Sequence, residues 1–247
     1  MKEKENIIFG IHPVIEAIKS GKEIDKVYIQ NDISGAGVTE LRKAIKESKV
    51  PFSHVPIQKL KRHTQGNHQG VVAFVSPIEI QDIENVLPQI FEKGEVPFVL
   101  MLDRVTDVRN FGAIVRTAEC AGVHAIVIPK RESAQINEDA IKTSAGAIFR
   151  VPICKVDNLT DTVFFLKDSG LSIVGCTEKT NETIYDCSFN QPLAIIMGNE
   201  EKGISNQLIK NCDALGKIPM QGEIASLNVS VAAAIIMFEA AKQRLGN

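Results

Sequence analysis

From Val96 onward the chain sets short, continuous apolar runs such as FVLML, AIVIP and LAIIM between segments of helical periodicity. A strand with one face in water alternates apolar and polar residues, whereas an unbroken apolar run needs cover on both faces. The pattern therefore predicts an α/β fold, a mainly parallel sheet with helices on both sides. The expected order is strand 98–103, helix 111–121, strand 124–129, helix 138–146, strand 150–156, helix 159–170, strands 171–176 and 193–198, helix 205–212, strand 214–219 and a final helix. Ligands of such sheets bind beyond the carboxyl ends of the strands. Polar residues at strand-to-helix junctions are thus the first places to look for chemistry.

Residues 1–77 read as a separate, small α/β domain. Strands are expected at 25–30, 51–55 and 71–75, and helices at 12–21 and 38–49. Pro13 suits the first turn of one helix and Gly21 its exit, while Leu41, Ala44 and Ile45 make a core stripe on the other. Ser76-Pro77 marks a boundary. Residues 78–95 are acidic and contain Pro88 and Gly94, and they read as a linker with a short helix of its own. Residues 96–247 form the large domain.

Composition narrows the function. The longest apolar stretch, Val231 to Phe238, is shorter than the ~18 residues of a membrane span, and the N-terminus lacks a secretory pattern, so a cytoplasmic protein is expected. Five scattered cysteines with no C-x-x-C pair argue for reduced thiols rather than disulfides or zinc. His63 and His68 flank one loop without a third ligand, so no metal is expected. Residues 1–77 carry 12 Lys/Arg against 8 Asp/Glu and four of the five histidines, whereas residues 78–247 carry 16 against 22. The front domain suits a polyanion. No G-x-G-x-x-G follows the first strand of the large domain, which speaks against a dinucleotide fold and the usual Rossmann methyltransferase, and no P-loop, G-x-S-x-G or H-E-x-x-H is present either.

Three polar kernels occupy strand-to-helix junctions. In LDRVTDVRNFGAIVRTAECAG, Asn110 stands at a helix start, where it can act as a cap, and Gly112 and Arg116 share a helix face, the glycine leaving room before the guanidinium. The plain alternative is a capped surface helix with Arg116 paired to Glu119. In IIMGNEEKGIS, an apolar strand breaks at Gly198 into a loop ending in Gly203, with Glu200 either a polar anchor or a solvated charge. In IPMQGEIASLNVS, a strand-like IPM and a turn at Gly222 lead to Ser226-Leu227-Asn228, just before a helix apolar on nearly every face, which must be buried. Ser226 and Asn228 read either as helix caps or as site residues.

Together, N-x-G-x-x-x-R (Asn110, Gly112, Arg116), M-G-N-E-x-x-G (Gly198, Glu200, Gly203) and I-P-M-x-G-x-x-x-S-L-N-V-S-V-A (Ile218 to Ala232) resemble the three motifs of the SpoU/TrmH family. Its members are S-adenosylmethionine-dependent RNA ribose 2′-O-methyltransferases of the SPOUT superfamily. The front domain resembles the small RNA-binding domain that some members carry, and the nearest subgroup methylates a guanosine of 23S rRNA. The resemblance implies a C-terminal trefoil knot, an exception to the rule against threaded loops, and a homodimer. It implies that Gly198, Ile218, Met220 and Leu227 line S-adenosyl-L-methionine. It implies that Arg116 is catalytic, with Asn110, Glu200, Ser226 and Asn228 fixing Arg116 and the ribose. Because a guanidinium is not readily deprotonated, Arg116 suits stabilising a developing alkoxide and gripping a phosphate better than acting as a base. Asn199 stands where many members have a smaller residue. A tRNA methyltransferase, an adenosine-methylating antibiotic-resistance relative, a non-catalytic ribosome-assembly factor and a small-molecule methyltransferase are the competing readings.

Overall fold

The computed structural model describes residues 7–223 and 226–245, and it divides into two compact units, residues 1–79 and 80–247. The first unit runs β1 (Ile7–Phe9), α1 (Ile11–Lys19), β2 (Ile24–Gln30), α2 (Ala36–Glu47), β3 (Phe52–Val55), α3 (Ile57–Lys61) and β4 (Val71–Val75). Its sheet has the order β1-β4-β2-β3, antiparallel except for the β2–β3 pair. Val14, Ile15 and Ile18 of α1 and Leu41, Ala44 and Ile45 of α2 close over Val27, Ile29, Val71 and Ala73 on one face. The other face carries Tyr28 and Val72 and is covered by Leu60 of the short α3.

The second unit comprises α4 (Ile83–Glu92), β5 (Phe98–Leu102), α5 (Val108–Cys120), β6 (Ala125–Pro129), α6 (Glu138–Thr143), β7 (Ile153–Val156), α7 (Leu159–Asp168), β8 (Ser172–Cys176), β9 (Leu193–Met197), α8 (Asn206–Ile209), β10 (Ala214–Gly216) and α9 (Val229–Leu245). All its strand pairs are parallel, in the order β10-β8-β9-β5-β6-β7. Every residue of β5 and β9 is buried, as their unbroken apolar sequences require. Val99, Met101, Val127, Ile173 and Ile196 meet α4, α7 and α8 on one face. Their alternates Leu100, Ile126 and Ile195 are equally buried, so the second face is covered too, and α5 and α9 pack together. Burying a side chain of this size contributes about 1.5–3 kcal/mol, so the central strands are a rigid base for the loops that leave them.

Two readings change. The segment expected as a linker contributes α4 to the core, with Ile83, Val86, Leu87 and Ile90 spaced to form one apolar face. Pro88 is tolerated on the solvent side of that helix. In α9 only one face is buried, through Val229, Ala233, Ile236, Met237 and Ala240. Val231 and Phe238 stand 46% and 51% exposed on another. Thiols of Cys154 and Cys176 are pushed up to about 12, and that of Cys212 to about 11, chiefly by burial, so they remain protonated.

Candidate active site at the carboxyl edge of the sheet

β5 and β9 are neighbours, and the strands that follow them in the chain lie on opposite sides, β6 beside β5 and β10 beyond β8 on the far side of β9. The loops after β5 and β9 therefore leave the point where strand order reverses, the usual crevice of an open parallel sheet. Because the strands are parallel, the segment after β10 leaves the same edge. All three polar kernels begin there.

The structure joins the three kernels by hydrogen bonds. Glu200 Oε1 accepts from Asn110 Nδ2 at 2.8 Å, from Asn228 Nδ2 at 2.9 Å and from the Val229 backbone N–H at 3.3 Å. Asn228 Nδ2 also donates to Asn110 Oδ1 at 3.1 Å. The Oδ1 of Asn228 accepts from the N–H and hydroxyl of Ser230 at 2.9 and 2.6 Å. Asn228 is thus both the N-cap of α9 and a member of the cluster. Glu200 places a carboxylate at the start of a seventeen-residue helix, where the helix dipole favours it. Asn110 is not a cap. Asp107 caps α5 by accepting from the Asn110 N–H at 2.8 Å, which leaves the Asn110 amide free to reach Glu200.

A second cluster, which the sequence reading missed, ties down the loop that carries Glu200. The buried carboxylate of Asp103 receives Arg104 Nε at 2.9 Å, Arg104 Nη2 at 3.1 Å and the Ser205 N–H at 2.7 Å. Arg104 Nη2 also donates to the Gly203 carbonyl at 3.3 Å, and the Asp103 carboxylate raises the guanidinium pKa against the opposing effect of burial. Asn199 completes the clamp. Its Nδ2 donates to the Arg104 carbonyl at 3.0 Å, while its Oδ1 accepts from the N–H groups of Glu201 and Lys202. The loop folds back so tightly that a Cβ on Gly198 would overlap the Gly203 and Ile204 backbone, so only glycine fits there. Asn199 is therefore the organiser of this loop. The signal available in the sequence was the pairing of an acid and a base directly after an apolar strand.

Other candidates stand apart. Arg116 is exposed and two turns along α5 from Asn110, and among the described residues its side chain makes no hydrogen bond or ion pair. Its suggested partner Glu119 is taken by Arg150 at 3.2 Å. Gly112 does not clear space for Arg116: a side chain there would collide with Thr143 and the Ala140 carbonyl, so the glycine lets α5 pack closely on α6. Ser226 is exposed and lies outside the hydrogen-bonded cluster. Ile218 to Met220 are not a strand, because β10 ends at Gly216 and Lys217 makes only a bridge to Thr183. Ile218 and Leu227 are half-buried and Met220 is exposed, while Gly198 is buried. Ile224 and Ala225 of the third kernel lie outside the described residues. Among the described residues, the backbone groups of residues 218–223, 226 and 227 have no hydrogen-bond partner.

Among the described residues there is no group of three or more His, Cys, Asp or Glu able to hold a metal ion, and no helix long and apolar enough to cross a membrane. Comparison with known proteins gives the architecture its place. Residues 97–238 match the SpoU rRNA Methylase family, and residues 7–81 match the RNA 2′-O ribose methyltransferase substrate-binding family. The TrmH-family protein YacO of Bacillus subtilis is 36% identical over 245 residues, covering 99% of this chain and 98% of YacO. A TrmH-family protein of Staphylococcus aureus is 40% identical over 242 residues, covering 98% and 97%. Among solved structures, the AdoMet-bound rRNA methyltransferase of Sinorhizobium meliloti aligns with a TM-score of 0.62 at 25% identity, covering 96% and 87%. The fold is also that of the SpoU methyltransferase AviRb of Streptomyces viridochromogenes, solved with AdoMet, at a TM-score of 0.61 and 24% identity over 98% and 91%. With both units matched and relatives aligned almost end to end, the chain belongs to the SpoU/TrmH family of RNA methyltransferases.

Proposed function

We propose that this chain transfers a methyl group from S-adenosyl-L-methionine to the ribose 2′-oxygen of a guanosine in 23S rRNA. The observation that carries the reading is the hydrogen-bonded cluster of Asn110, Glu200 and Asn228, drawn from three segments and held where the strand order reverses. When bound, S-adenosylmethionine supplies an electrophilic methyl on a sulfonium. Gly198, Ile218, Met220 and Leu227 hold the cofactor through apolar contact and backbone groups at the sheet edge. The chain's contribution to rate is alignment, for which well-oriented reactants gain about 7–11 kcal/mol. Arg116, unpaired among the described residues, is available to bind a phosphate and to stabilise charge developing on the 2′-oxygen as its proton passes to that phosphate or to water. The Asn110–Glu200–Asn228 cluster and Ser226 orient the ribose beside it.

In this reading residues 1–77 form the RNA-binding domain of a cytoplasmic enzyme, and the segments after β9 and β10 make the trefoil knot. The exposed apolar residues Val231 and Phe238 of α9 pair two copies into a homodimer. The relatives' descriptions mention tRNA and rRNA together, so tRNA is the second reading for the substrate. Incubation with labelled S-adenosylmethionine and, separately, unmodified 23S rRNA and total tRNA tests the choice. Label in 23S rRNA at one alkali-resistant linkage is expected. Label confined to tRNA transfers the mechanism to that substrate, and no label in either RNA despite cofactor binding returns the chain to a non-catalytic role.

A further inference from the structure

In the first unit, charge is sorted by face. On the helical side the cations are mixed with acids: Lys19 pairs with Glu40 at 2.8 Å and Lys43 lies 3.9 Å from Glu47. The chain between Glu47 and Glu79 contains no Asp or Glu at all, yet it carries Lys49, Lys59, Lys61, Arg62 and three histidines. Most of that stretch is β3, α3, the loop after it and β4, and α3 lies over the sheet face opposite the two long helices. On the same face, Lys26 of β2 is in register with Phe74 of β4.

The cations here are also held. The Tyr28 ring packs edge-on against Phe74 at 5.1 Å, and His63 against Phe74 at 4.9 Å. Over the Tyr28 ring lie the ammonium groups of Lys59 at 4.7 Å and Lys26 at 5.4 Å. Such contacts limit the freedom of a lysine at little cost in charge. Among the described residues, Lys26, Lys59, Lys61 and Arg62 make no ion pair. Tyr28 is itself buried beneath its neighbours, so its ring anchors the lysines and is not open to a base.

We infer that the α3 face, through Lys26, Lys59, Lys61 and Arg62, grips the phosphate backbone of the RNA substrate, while the helical face of α1 and α2 stays out of contact. The inference rests on the RNA-methylating reading and assigns the surface that docks the substrate. Phosphates are bound here by charge, so this contact positions the RNA and leaves selection of the nucleotide to other parts of the molecule.

The test uses the full chain and purified 23S rRNA, with binding measured across a salt series. Replacing Lys59, Lys61 and Arg62 together by Gln is expected to weaken binding about 10- to 100-fold at 0.1 M salt. The slope of log K against log salt becomes shallower by about 2–3. The charge-keeping set Lys59→Arg, Lys61→Arg and Arg62→Lys restores most of the affinity, which separates lost charge from lost folding. Replacing Lys19, Lys43 and Lys46 by Gln leaves binding within about twofold of the parent, because those cations lie off the RNA path. Equal weakening by both Gln sets, or weakening with an unchanged salt slope, overturns the inference, as does no weakening by the first set. S-adenosylmethionine binding by the first Gln set stays at the parent level. A parent protein that binds rRNA through this face but fails to methylate it would sink the proposed reaction and leave this surface standing.

Discussion

Two polar clusters both draw on the segments after β5 and β9, the second adding Asn228 from the segment after β10, and they differ in almost every physical respect. The Asp103–Arg104–Asn199 cluster centres on a buried carboxylate, and its carboxylate and amide groups are engaged by the Arg104 guanidinium and by backbone groups of Arg104, Glu201, Lys202 and Ser205. The Asn110–Glu200–Asn228 cluster is exposed, and its three donors converge on one oxygen of Glu200 while the other oxygen has no partner among the described residues. The first spends its hydrogen-bonding capacity on holding a loop. The second is held in place with capacity to spare, which is what a site that must receive a substrate requires.

The comparison can be broken most decisively beside the open cluster. Arg116→Ala is expected to lower methyl transfer about 10²–10³-fold, the typical loss when one charge-stabilising group is removed. Its affinity for S-adenosylmethionine, measured by calorimetry, stays unchanged. Lost cofactor binding with an intact fold would give Arg116 a different job. In the buried cluster the main effect falls on stability. Asp103→Ala leaves Arg104 and the Ser205 N–H without their acceptor, and because the Arg104 side chain is 27% exposed the cost is held to about 2–3 kcal/mol, roughly 5–10 °C in Tm. A thermal melt unchanged by this substitution would remove the distinction between the clusters.

His124 sharpens the picture at the opposite, amino edge of the sheet. Its Nδ1 accepts the Phe98 N–H at 3.0 Å, and burial lowers its pKa below the ordinary 6.5 although Glu95 opposes the shift. The unfolded chain therefore binds the proton more readily than the folded one. The stability this histidine contributes is present above pH 6.5 and is lost as pH falls through the lowered folded value. His124→Asn should flatten the fall in Tm between pH 7 and 5, and an equal fall in both proteins would assign it to other groups. The smallest effect belongs to Glu200→Gln, which keeps an oxygen acceptor and removes only the charge at the start of α9, about 0.3–1 kcal/mol. A larger loss of Tm would mean that the open cluster carries structural weight like the buried one.

The same contrast explains what the sequence could and could not disclose. Parallel strands were legible because β5 and β9 have no polar residue to hide in a wet face. Asn110, Glu200 and Asn228 were legible as polar residues where apolar strands give way to helices, although their mutual bonds span up to 118 residues and have no local trace. Asn199 escaped notice because its partners are backbone groups, which every residue possesses, and Asp103 because its side-chain partner is the adjacent Arg104, a neighbour pairing with no long-range trace. Gly112 was misread for a related reason: a missing side chain does not say which neighbour needs the room, and here it is Thr143 of α6. The apolar spacing of α4 was visible, but the acidic surroundings and Pro88 disguised a core helix as a linker. Nor could the composition of α9 reveal that a single copy covers just one of its apolar faces.

The most direct test of the central claim is nucleoside mass spectrometry of 23S rRNA after incubation with S-adenosylmethionine and either the parent protein or Arg116→Ala. One 2′-O-methylguanosine per rRNA with the parent, and almost none with a variant that still binds the cofactor, is the predicted result. A methyl group on a base, or equal product from both proteins, would contradict the assignment of this edge of the sheet as a ribose-methylating site.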